Sequence, residues 1–401
     1  MEQGALTGVR IVDLTTVLMG PMATRMLGDH GADVVRVESL SGDSTRNGLP
    51  ARNPGMSGFS LNLQRNKRSV ALDLKHPTGA HIMDELVATA DVVVTNMRAG
   101  ALERLGLDAE TLCGRYPRLI HCRANGFGSG GRYRDKAAYD DVIQAASGIS
   151  SLIGQARDVP DYVPFVMADK ITGLHIVQAV MAALLHRHTT GRGQRIEVPM
   201  FETMVAFNMV EHLRGAAFEP PEGPFGYQRL LSTFRRPVAT ADGYMCLLPY
   251  TDANWRDFFA FVGRAELADD PRFRDHNSRI SNTDELYEML GQLSPGRATA
   301  EWVAFCDDHS IPAAAANDLG EIHLDPHIAE VGLIEIAEHP TEGAYRYVHD
   351  PVNFSDSPTG LRRHAPRLGE HTAEVLAELG YDAAQVDALA QDGIVTGARA
   401  D

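Results

Sequence analysis

The segment spanning residues 8–39, GVRIVDLTTVLMGPMATRMLGDHGADVVRVES, is the feature that most constrains the fold of this chain. Apolar runs at 11–14 and 34–37 predict two buried parallel strands. Between them, Pro21 suits the first turn of a helix and Gly31 suits its end. The segment therefore predicts a βαβ unit of nucleotide-binding size. It lacks the GxGxxG turn that binds a dinucleotide pyrophosphate, which argues against a nicotinamide-dependent oxidoreductase.

Further strands follow the first unit and alternate with helical segments. Apolar runs at 70–74, 92–94 and 119–122 predict strands. A long helix is predicted from 170 to about 188, because apolar residues recur there at helical spacing, and a strand at 194–198 follows it. This alternation predicts an α/β fold: a Rossmann-like large domain with a mostly parallel sheet.

The composition of the chain changes near Ala217, where a segment rich in Pro and Gly predicts a linker. From Phe234 onwards the pattern predicts a smaller α+β domain. We therefore expect a large α/β domain over 1–216, the linker and small domain over 217–330, and a C-terminal part over 331–401.

Charge and cysteine content exclude several classes of protein. The formal net charge of −16 argues against binding to nucleic acid or to an anionic membrane surface. None of the four cysteines forms a CxxC or a Cys/His cluster at zinc spacing, so no metal site is expected. The first residues do not match a signal peptide, and no run approaches the ~20 apolar residues of a membrane span. These observations together predict a cytoplasmic protein.

Asp169 stands at the start of the predicted long helix, within FVMADKITG. Aspartate is a preferred helix N-cap, and such a cap stabilises a helix by about 1 kcal/mol. A carboxylate at a helix N-terminus is also stabilised as the anion by the helix dipole. An anionic carboxylate can attack an activated acyl group and form a covalent intermediate. The sequence leaves the capping role and the catalytic role open, and the two are compatible.

Blocks spread over nearly the whole chain resemble, in order, the class III CoA-transferases, the family of formyl-CoA and carnitine CoA-transferases. They are residues 62–75, 91–107, 116–128, 138–148 and 165–204, together with the tail APRLGEHTAEVL. The resemblance implies that Asp169 is the nucleophile and that CoA moves from an acyl-CoA donor to a free carboxylic acid through an aspartyl-CoA thioester. It also implies an interlocked homodimer, and a C-terminal part that returns to the large domain.

The resemblance also implies which residues contact coenzyme A and the acids. Arginine and lysine suit the phosphates of CoA, and apolar loops suit its adenine and pantetheine. The implied CoA contacts are Thr16, Val17, Leu18, Arg36, Leu72, Asn96, Met97, Arg98, Arg104 and Lys136. Tyr139 and Asp140 are implied for the substrate pocket. The glycine-containing turn at 126–131 is either material for shielding the intermediates or a plain surface loop.

The chain departs from the family pattern in its small domain. Formyl-CoA transferase carries consecutive glycines there, whereas the region 239–249 of this chain has only Asp242-Gly243. The way in which the intermediate is shielded therefore stays open, and oxalate cannot be assumed as the acceptor. A short dicarboxylic acid with succinyl-CoA as donor is our expectation.

Two alternatives share the expected fold. An α-methylacyl-CoA racemase moves a proton and places a histidine before an aspartate, where this chain has Tyr139. A tyrosine with a pKa of about 10 is a poor base at neutral pH, which argues against a racemase. The second alternative is a non-catalytic CoA-binding protein, against which the intact ADKITG segment argues.

Overall fold

The structure is a computed structural model that describes residues 4–397, so the first three and last four residues of the predicted domains lie outside the described residues. The strands are β1 Arg10–Leu14, β2 Asp33–Glu38, β3 Lys67–Leu72, β4 Val92–Thr95, β5 Ile120–Asn125, β6 Arg195–Pro199, β7 Val238–Ala239, β8 Tyr244–Leu247, β9 Ala313–Ala315, β10 Ile334–His339, β11 Gly343–Val348 and β12 Val395–Thr396. The helices are α1 Met19–Asp29, α2 Gly58–Leu63, α3 Pro77–Ala88, α4 Ala99–Leu105, α5 Ala109–Arg115, α6 Asp140–Ala146, α7 Ile149–Arg157, α8 Met167–Thr190, α9 Met200–His212, α10 Gln228–Leu231, α11 Asp252–Phe261, α12 His276–Ser281, α13 Thr283–Leu293, α14 Thr299–Asp308, α15 Pro326–Glu330, α16 Thr372–Glu378 and α17 Ala383–Gln391.

The described chain divides into two compact units. The first comprises 4–144, 164–205 and 326–397, and the second comprises 145–163 and 206–325. The sequence placed the first boundary at 216, whereas the structure assigns 145–163 and 206–216 to the second unit.

A seven-stranded sheet forms the centre of the first unit, in the order β12-β3-β2-β1-β4-β5-β6. Neighbouring strands pair in parallel except for β12, which runs antiparallel to β3. This sheet confirms the α/β fold with a mostly parallel sheet. The strand order reverses between β1 and β4, and ligands of open α/β sheets bind at the carboxyl ends of strands at such a point.

The two faces of this sheet are covered by different helices. Alternation along β1 places Val12 and Leu14 in the apolar core that contains α3, α4 and α5, and Asp13 on the opposite face. That opposite face is covered by α1 and α8, which pack closely. A Cβ on Gly173 of α8 would lie 3.0 Å from the carbonyl oxygen of Met19, so only glycine allows this approach without displacement.

The C-terminal part of the chain belongs to the first unit. The strand β12 pairs with β3 through Val395 and Leu72. The helices α16 and α17 supply Val375, Leu376 and Leu389 to the same core as α3. One edge strand of the sheet is therefore formed by residues more than 300 positions away in sequence from β3.

The second unit has its own core. Its three strands form an antiparallel sheet in the order β7-β8-β9. Helices α11 and α14 pack Phe258 and Phe259 against Trp302, which is fully buried. The indole nitrogen of Trp302 donates to the carbonyl oxygen of Ser294 at 2.9 Å, so its polar atom is satisfied in the core.

The helix α8, 24 residues long, is apolar enough to pass a length and composition test for a membrane span. The sequence expectation that no run approaches such a span was therefore wrong by that criterion. Core helices of globular proteins pass the same test, and α8 buries Ile176 and Val180 beside the sheet.

Candidate active site

Asp169 lies in the first turn of α8 but does not cap it. The helix begins at Met167, and the preceding Val166 makes no side-chain cap. The Asp169 side chain makes no hydrogen bond to any of residues 4–397, although its backbone N–H donates to Asp140 Oδ1 at 3.0 Å. Asp140, and not Asp169, therefore caps this turn of the helix. The Asp169 carboxylate is thus available to react with a ligand.

Asp140 begins α6 and is buried beneath the first turn of α8. Its Oδ1 accepts the N–H of Asp169, and its Oδ2 accepts from Gln144 Nε2 at 2.5 Å. A carboxylate in this position satisfies one of the free N–H groups at a helix N-terminus. The sequence placed Asp140 in the substrate pocket, whereas the structure places it behind Asp169.

Two effects raise the pKa of Asp169. Burial, the larger effect, and the nearby negative charge of Asp140 together raise the pKa of its carboxyl to about 7. The helix dipole, which the sequence suggested would keep Asp169 anionic, is therefore outweighed by desolvation and like charge. A carboxyl with such a pKa takes up and releases its proton near neutral pH.

A cavity of about 660 Å³ lies at the carboxyl ends of β1, β4 and β5, within the first unit. Its walls come from the β1–α1 loop, the start of α4, the end of β5, the segment 134–139 and the first turn of α8. The lining residues are Thr16, Val17, Leu18, Met19, Asn96, Met97, Arg98, Ala99, Gly100, Ala101, Arg104, Arg123, Ala124, Asn125, Gly126, Arg134, Asp135, Lys136, Ala137, Ala138, Tyr139, Asp169 and Met200.

The structure brings most of the implied site residues to this one cavity. The sequence-implied residues found in its walls are Thr16, Val17, Leu18, Asn96, Met97, Arg98, Arg104, Lys136, Tyr139 and Asp169. Tyr139 is 71 % exposed, so its ring is free to contact a ligand.

Arg36 is not in the cavity. It lies inside β2 with a fully buried side chain. Its guanidinium donates to Gln64 Oε1 at 2.7 Å and to Asp43 Oδ2 at 2.8 Å. The prediction that Arg36 contacts CoA directly is corrected by this geometry, because a guanidinium sealed among protein acceptors has no surface for a phosphate.

Leu72 is also outside the cavity. It is the last residue of β3, it is 1 % exposed, and it packs in the core against α3 and the C-terminal helices. Its apolar side chain follows the alternation of a buried strand and contributes to stability, so direct contact with CoA is corrected here as well.

Arg123 is a cavity residue that sequence reasoning missed. It lies on β5, two residues beyond His121, whose ring bonds the carbonyl oxygen of Leu107 after α4. Alternation therefore directs Arg123 toward the α4 side of the sheet. Its Nε is buried and has no hydrogen-bond partner in the described chain, which suits an anionic ligand. The sequence offered one signal for this role, because Arg123 directly follows the predicted strand at 119–122.

Positive charge predominates in the cavity walls. Arg134 was missed by sequence reasoning, and Lys136 stacks on the Tyr133 ring with its Nζ 3.9 Å from the ring centroid. The cationic lining residues are Arg98, Arg104, Arg123, Arg134 and Lys136, against the acidic Asp135 and Asp169. Phosphates and carboxylates are the ligands that this combination binds.

The glycine-containing turn at 126–131 is fixed by two carboxylates. The N–H of Gly128 donates to both oxygens of Glu202 at 3.0 and 3.1 Å, and the N–H of Ser129 donates to Glu197 at 3.0 Å. These two backbone donors are occupied, so they are not available to stabilise a developing negative charge.

No group of three or more His, Cys, Asp or Glu side chains that could hold a metal ion lies within residues 4–397. In the second unit, Asp242-Gly243 forms the turn between β7 and β8, and its carboxylate accepts from the N–H of Thr299 at 2.7 Å. This turn is thus a structural hairpin that is fastened to the start of α14.

The pKa of Asp169 predicts a pH-dependent effect on stability. Because the carboxyl has a pKa of about 7 when folded and 3.8 as a free side chain, its favourable contribution is complete below pH 3.8 and is lost as pH rises through 7. We expect Asp169→Asn to raise the melting temperature at pH 8.5 relative to the natural chain, and to change it little at pH 4.5. Thermal unfolding at both values is the measurement. Asp141→Asn, an exposed carboxylate on the same helix as Asp140, is the control. A lower melting temperature for Asp169→Asn at pH 8.5 would contradict the raised pKa.

Comparisons with known proteins identify the family of this chain. The model of CoA-transferase family III matches residues 6–372. The chain is 33 % identical over 381 residues to a succinate–glutarate CoA-transferase of Agrobacterium fabrum, covering 93 % of this chain and 95 % of the relative. It is 32 % identical over 412 residues to a formyl-CoA:oxalate CoA-transferase of Streptomyces avermitilis, covering 98 % of this chain and 99 % of that relative.

Solved structures give the same result. A CAIB/BAIF family protein from Brucella suis superposes with a TM-score of 0.80 at 30 % identity, covering 94 % of this chain and all of the other. A Mycobacterium tuberculosis protein superposes with a TM-score of 0.81 at 27 % identity, covering 93 % of this chain and 99 % of the other. The family match, the relatives and the fold together show that this chain belongs to CoA-transferase family III.

Proposed function

We propose that this enzyme moves CoA from an acyl-CoA thioester to a free carboxylic acid, with Asp169 as the covalent nucleophile. The observation that carries the proposal is a carboxylate without a hydrogen-bond partner in the described chain, placed in the wall of a cavity rich in cations. Family membership supplies the reaction class, and the geometry supports the role of this residue.

The proposed reaction exchanges acyl partners without a redox step. The Asp169 carboxylate attacks the donor thioester carbonyl, forms a mixed anhydride and expels CoA as its thiolate. The thiolate attacks the aspartyl carbonyl, which releases the donor acid as a carboxylate and leaves an aspartyl-CoA thioester. The acceptor carboxylate attacks that thioester, which forms a second anhydride and expels the CoA thiolate again, and this thiolate then attacks the acceptor acyl carbonyl to give the new acyl-CoA. Asp169 is thereby regenerated as a carboxylate.

The cationic walls support the binding of CoA. Arg98, Arg104 and Lys136 suit its phosphates, and the apolar loop residues Val17 and Leu18 suit its pantetheine or adenine. Arg123 adds a buried, unpaired donor to the same wall.

We also propose a short dicarboxylic acid as acceptor and succinyl-CoA as donor. Relatives of this chain are named as acting on succinate and glutarate, on succinyl-CoA and L-malate, and on formyl-CoA and oxalate. The surplus of cations in the cavity supports an acid with a second carboxylate. We place the activity in the cytoplasm, where the four unpaired cysteines would stay reduced.

Trapping of the covalent intermediate tests the proposal. We expect incubation with succinyl-CoA followed by hydroxylamine to modify one peptide, at Asp169, in intact-protein and peptide mass spectra. Asp169→Asn removes the nucleophile, and we expect transfer to fall by about 10³-fold or more while CoA still binds. Asp135→Asn, a carboxylate in the same cavity wall, is the matched control and should still be labelled at Asp169. Full transfer by Asp169→Asn, or solvent deuterium entering the α-carbon without any adduct, would contradict the mechanism.

The pH dependence of transfer follows from the environment of Asp169. Because only the carboxylate is nucleophilic, we expect kcat/KM for the acyl-CoA to rise with pH to a plateau, with an apparent pKa of about 7. Asp140→Asn removes the negative charge behind Asp169 and should move this limb to lower pH. Initial rates from pH 5 to 9 measure both. Asp141→Asn serves as control, and a limb that stays in place in Asp140→Asn would refute the electrostatic assignment.

We propose further that the enzyme is an interlocked homodimer. Apolar side chains spaced along one face of α8 are exposed in the single chain: Leu174 is 50 %, Met181 38 % and Leu185 67 % exposed. On α9, Val210 is 83 % exposed. Such exposed apolar surface indicates a protein interface.

Sedimentation velocity tests this assembly. We expect a single species of twice the chain mass of 43.6 kDa that does not dissociate on dilution to nanomolar concentration. We expect Leu185→Asp to yield monomer or insoluble chain, because it introduces a charge into the apolar face. Glu103→Asp on α4 is a conservative surface control. A wild-type monomer at micromolar concentration would exclude the proposed dimer.

A further inference from the structure

Val17, in the β1–α1 loop, has a left-handed backbone with φ of +67°. This conformation is unusual for a β-branched residue and costs on the order of 1–3 kcal/mol. Val17 forms part of the cavity wall together with Asp169. Some interaction must therefore hold the loop in this conformation.

The buried side chain of Asp43 supplies that interaction. The N–H of Val17 donates to Asp43 Oδ2 at 2.9 Å. The same oxygen accepts from the buried Arg36 at 2.8 Å, and the other oxygen accepts the N–H of Thr45 at 2.8 Å. The Asp43 side chain is 1 % exposed. A buried charge is thus directed at one backbone N–H of the cavity wall.

The neighbouring loop residues are held in the same manner. The N–H of Thr15 donates to Asp13 Oδ1 at 2.9 Å. The amide of Asn96 accepts the N–H of Thr16 at 3.0 Å and donates to its carbonyl oxygen at 2.9 Å. Three consecutive residues of the loop are therefore bonded to side chains from three different segments of the chain.

The carboxylates that hold the loop belong to one buried network. Gln64 Oε1 accepts from Arg36 at 2.7 Å and from Lys67 at 3.0 Å, and Lys67 pairs with Asp13 at 3.1 Å. Burial alone would raise the pKa of Asp13, but the charges of Lys67 and Arg36 lower it overall, so Asp13 is an anion. The network thus links the two loop anchors, Asp13 and Asp43, through fully buried cations.

Stability is a weak explanation for such a network. Buried ion pairs lose about as much in desolvation as they gain in attraction, and apolar replacements are often neutral or stabilising. The network also contains Glu38, bonded to Arg46 at 2.6 Å, and this carboxylate makes no bond to the loop. Glu38 also lies 3.4 Å from Arg36 Nε, so it reaches the loop only through the cation that binds Asp43.

We propose that Asp43 is a positioning residue that holds Val17 in its left-handed conformation and so fixes the cavity wall against which the acyl-CoA thioester binds. The inference rests on the proposed function, because it assigns CoA to this cavity. It gives buried Arg36 a role as well: its bond to Asp43 at 2.8 Å holds that carboxylate toward the loop.

A pair of isosteric variants tests the proposal. Asp43→Asn removes the charge that faces Val17, and we expect CoA binding, measured by calorimetry, to weaken by about 10- to 100-fold with a matching loss of kcat/KM for acyl-CoA. Asp29→Asn removes an equally buried carboxylate that bonds Arg25, Arg65 and Asn66 instead of Arg36 or the loop, and we expect CoA affinity within about twofold of wild type. Melting temperatures show whether both variants are folded. Equal losses in the two variants, or wild-type affinity in Asp43→Asn, would overturn the proposal.

Rescue separates positioning from a general structural effect. Glycine adopts a positive φ without the Cβ penalty, so Val17→Gly needs no anchor. We expect Val17→Gly to cost less in the Asp43→Asn background than in the natural chain, and to recover part of the lost CoA affinity. Additive losses would refute the role. If Asp43→Asn does not accumulate as folded protein, Arg36→Lys is the substitute, because it alters the bond to Asp43 and retains the positive charge. We expect Arg36→Lys to lower CoA affinity as well. Unchanged affinity in that variant would also refute the positioning role.

The two proposals fail in different ways. Wild-type protein that neither binds CoA nor transfers it would remove the proposed function. Wild-type protein that transfers CoA, together with an Asp43→Asn variant that does so equally well, would remove only the positioning role.

Discussion

The buried charge network beneath the β1–α1 loop is the constraint on which the cavity depends. A βαβ unit without a glycine-rich turn has to shape its ligand loop by other means. Here the backbone N–H groups of the loop donate to the side chains of Asp13, Asn96 and Asp43. The loop is thereby held in a conformation that its own sequence would not select, since valine disfavours a positive φ.

Asp169 shows how the first turn of a helix can carry a reactive carboxylate. Asp140 accepts the backbone N–H of Asp169, and the Asp169 side chain has no partner in the described chain. Burial, and after it the negative charge of Asp140, raise the pKa of Asp169 to about 7. A carboxylate of higher basicity is a better nucleophile, and it retains its charge only where the solution is neutral or alkaline. The arginines of the same cavity provide the complementary charge for an anionic thioester.

Sequence reasoning found most of the cavity and failed where side-chain direction matters. Arg98 and Lys136 lie in loops after β4 and β5, where a charged side chain faces solvent or ligand. Both line the cavity, as expected. Arg36 lies within a strand, where alternation decides the face, and that face holds the acceptors Gln64 and Asp43. Arg123 was missed because its place after a predicted strand does not by itself show that its Nε has no partner in the described chain.

The sequence by itself determined the alternating elements, the α/β class and the family, because apolar periodicity and local motifs are properties of short segments. Tertiary structure decided which residues reach the cavity, since that depends on contacts between distant segments. Asp140 could be recognised as a cap of α8, and Asp43 as an anchor of Val17, only in the folded chain, because the partners are 29 and 26 positions apart in sequence. Their bonds cross from one element to another, and a local pattern carries no information about such partners.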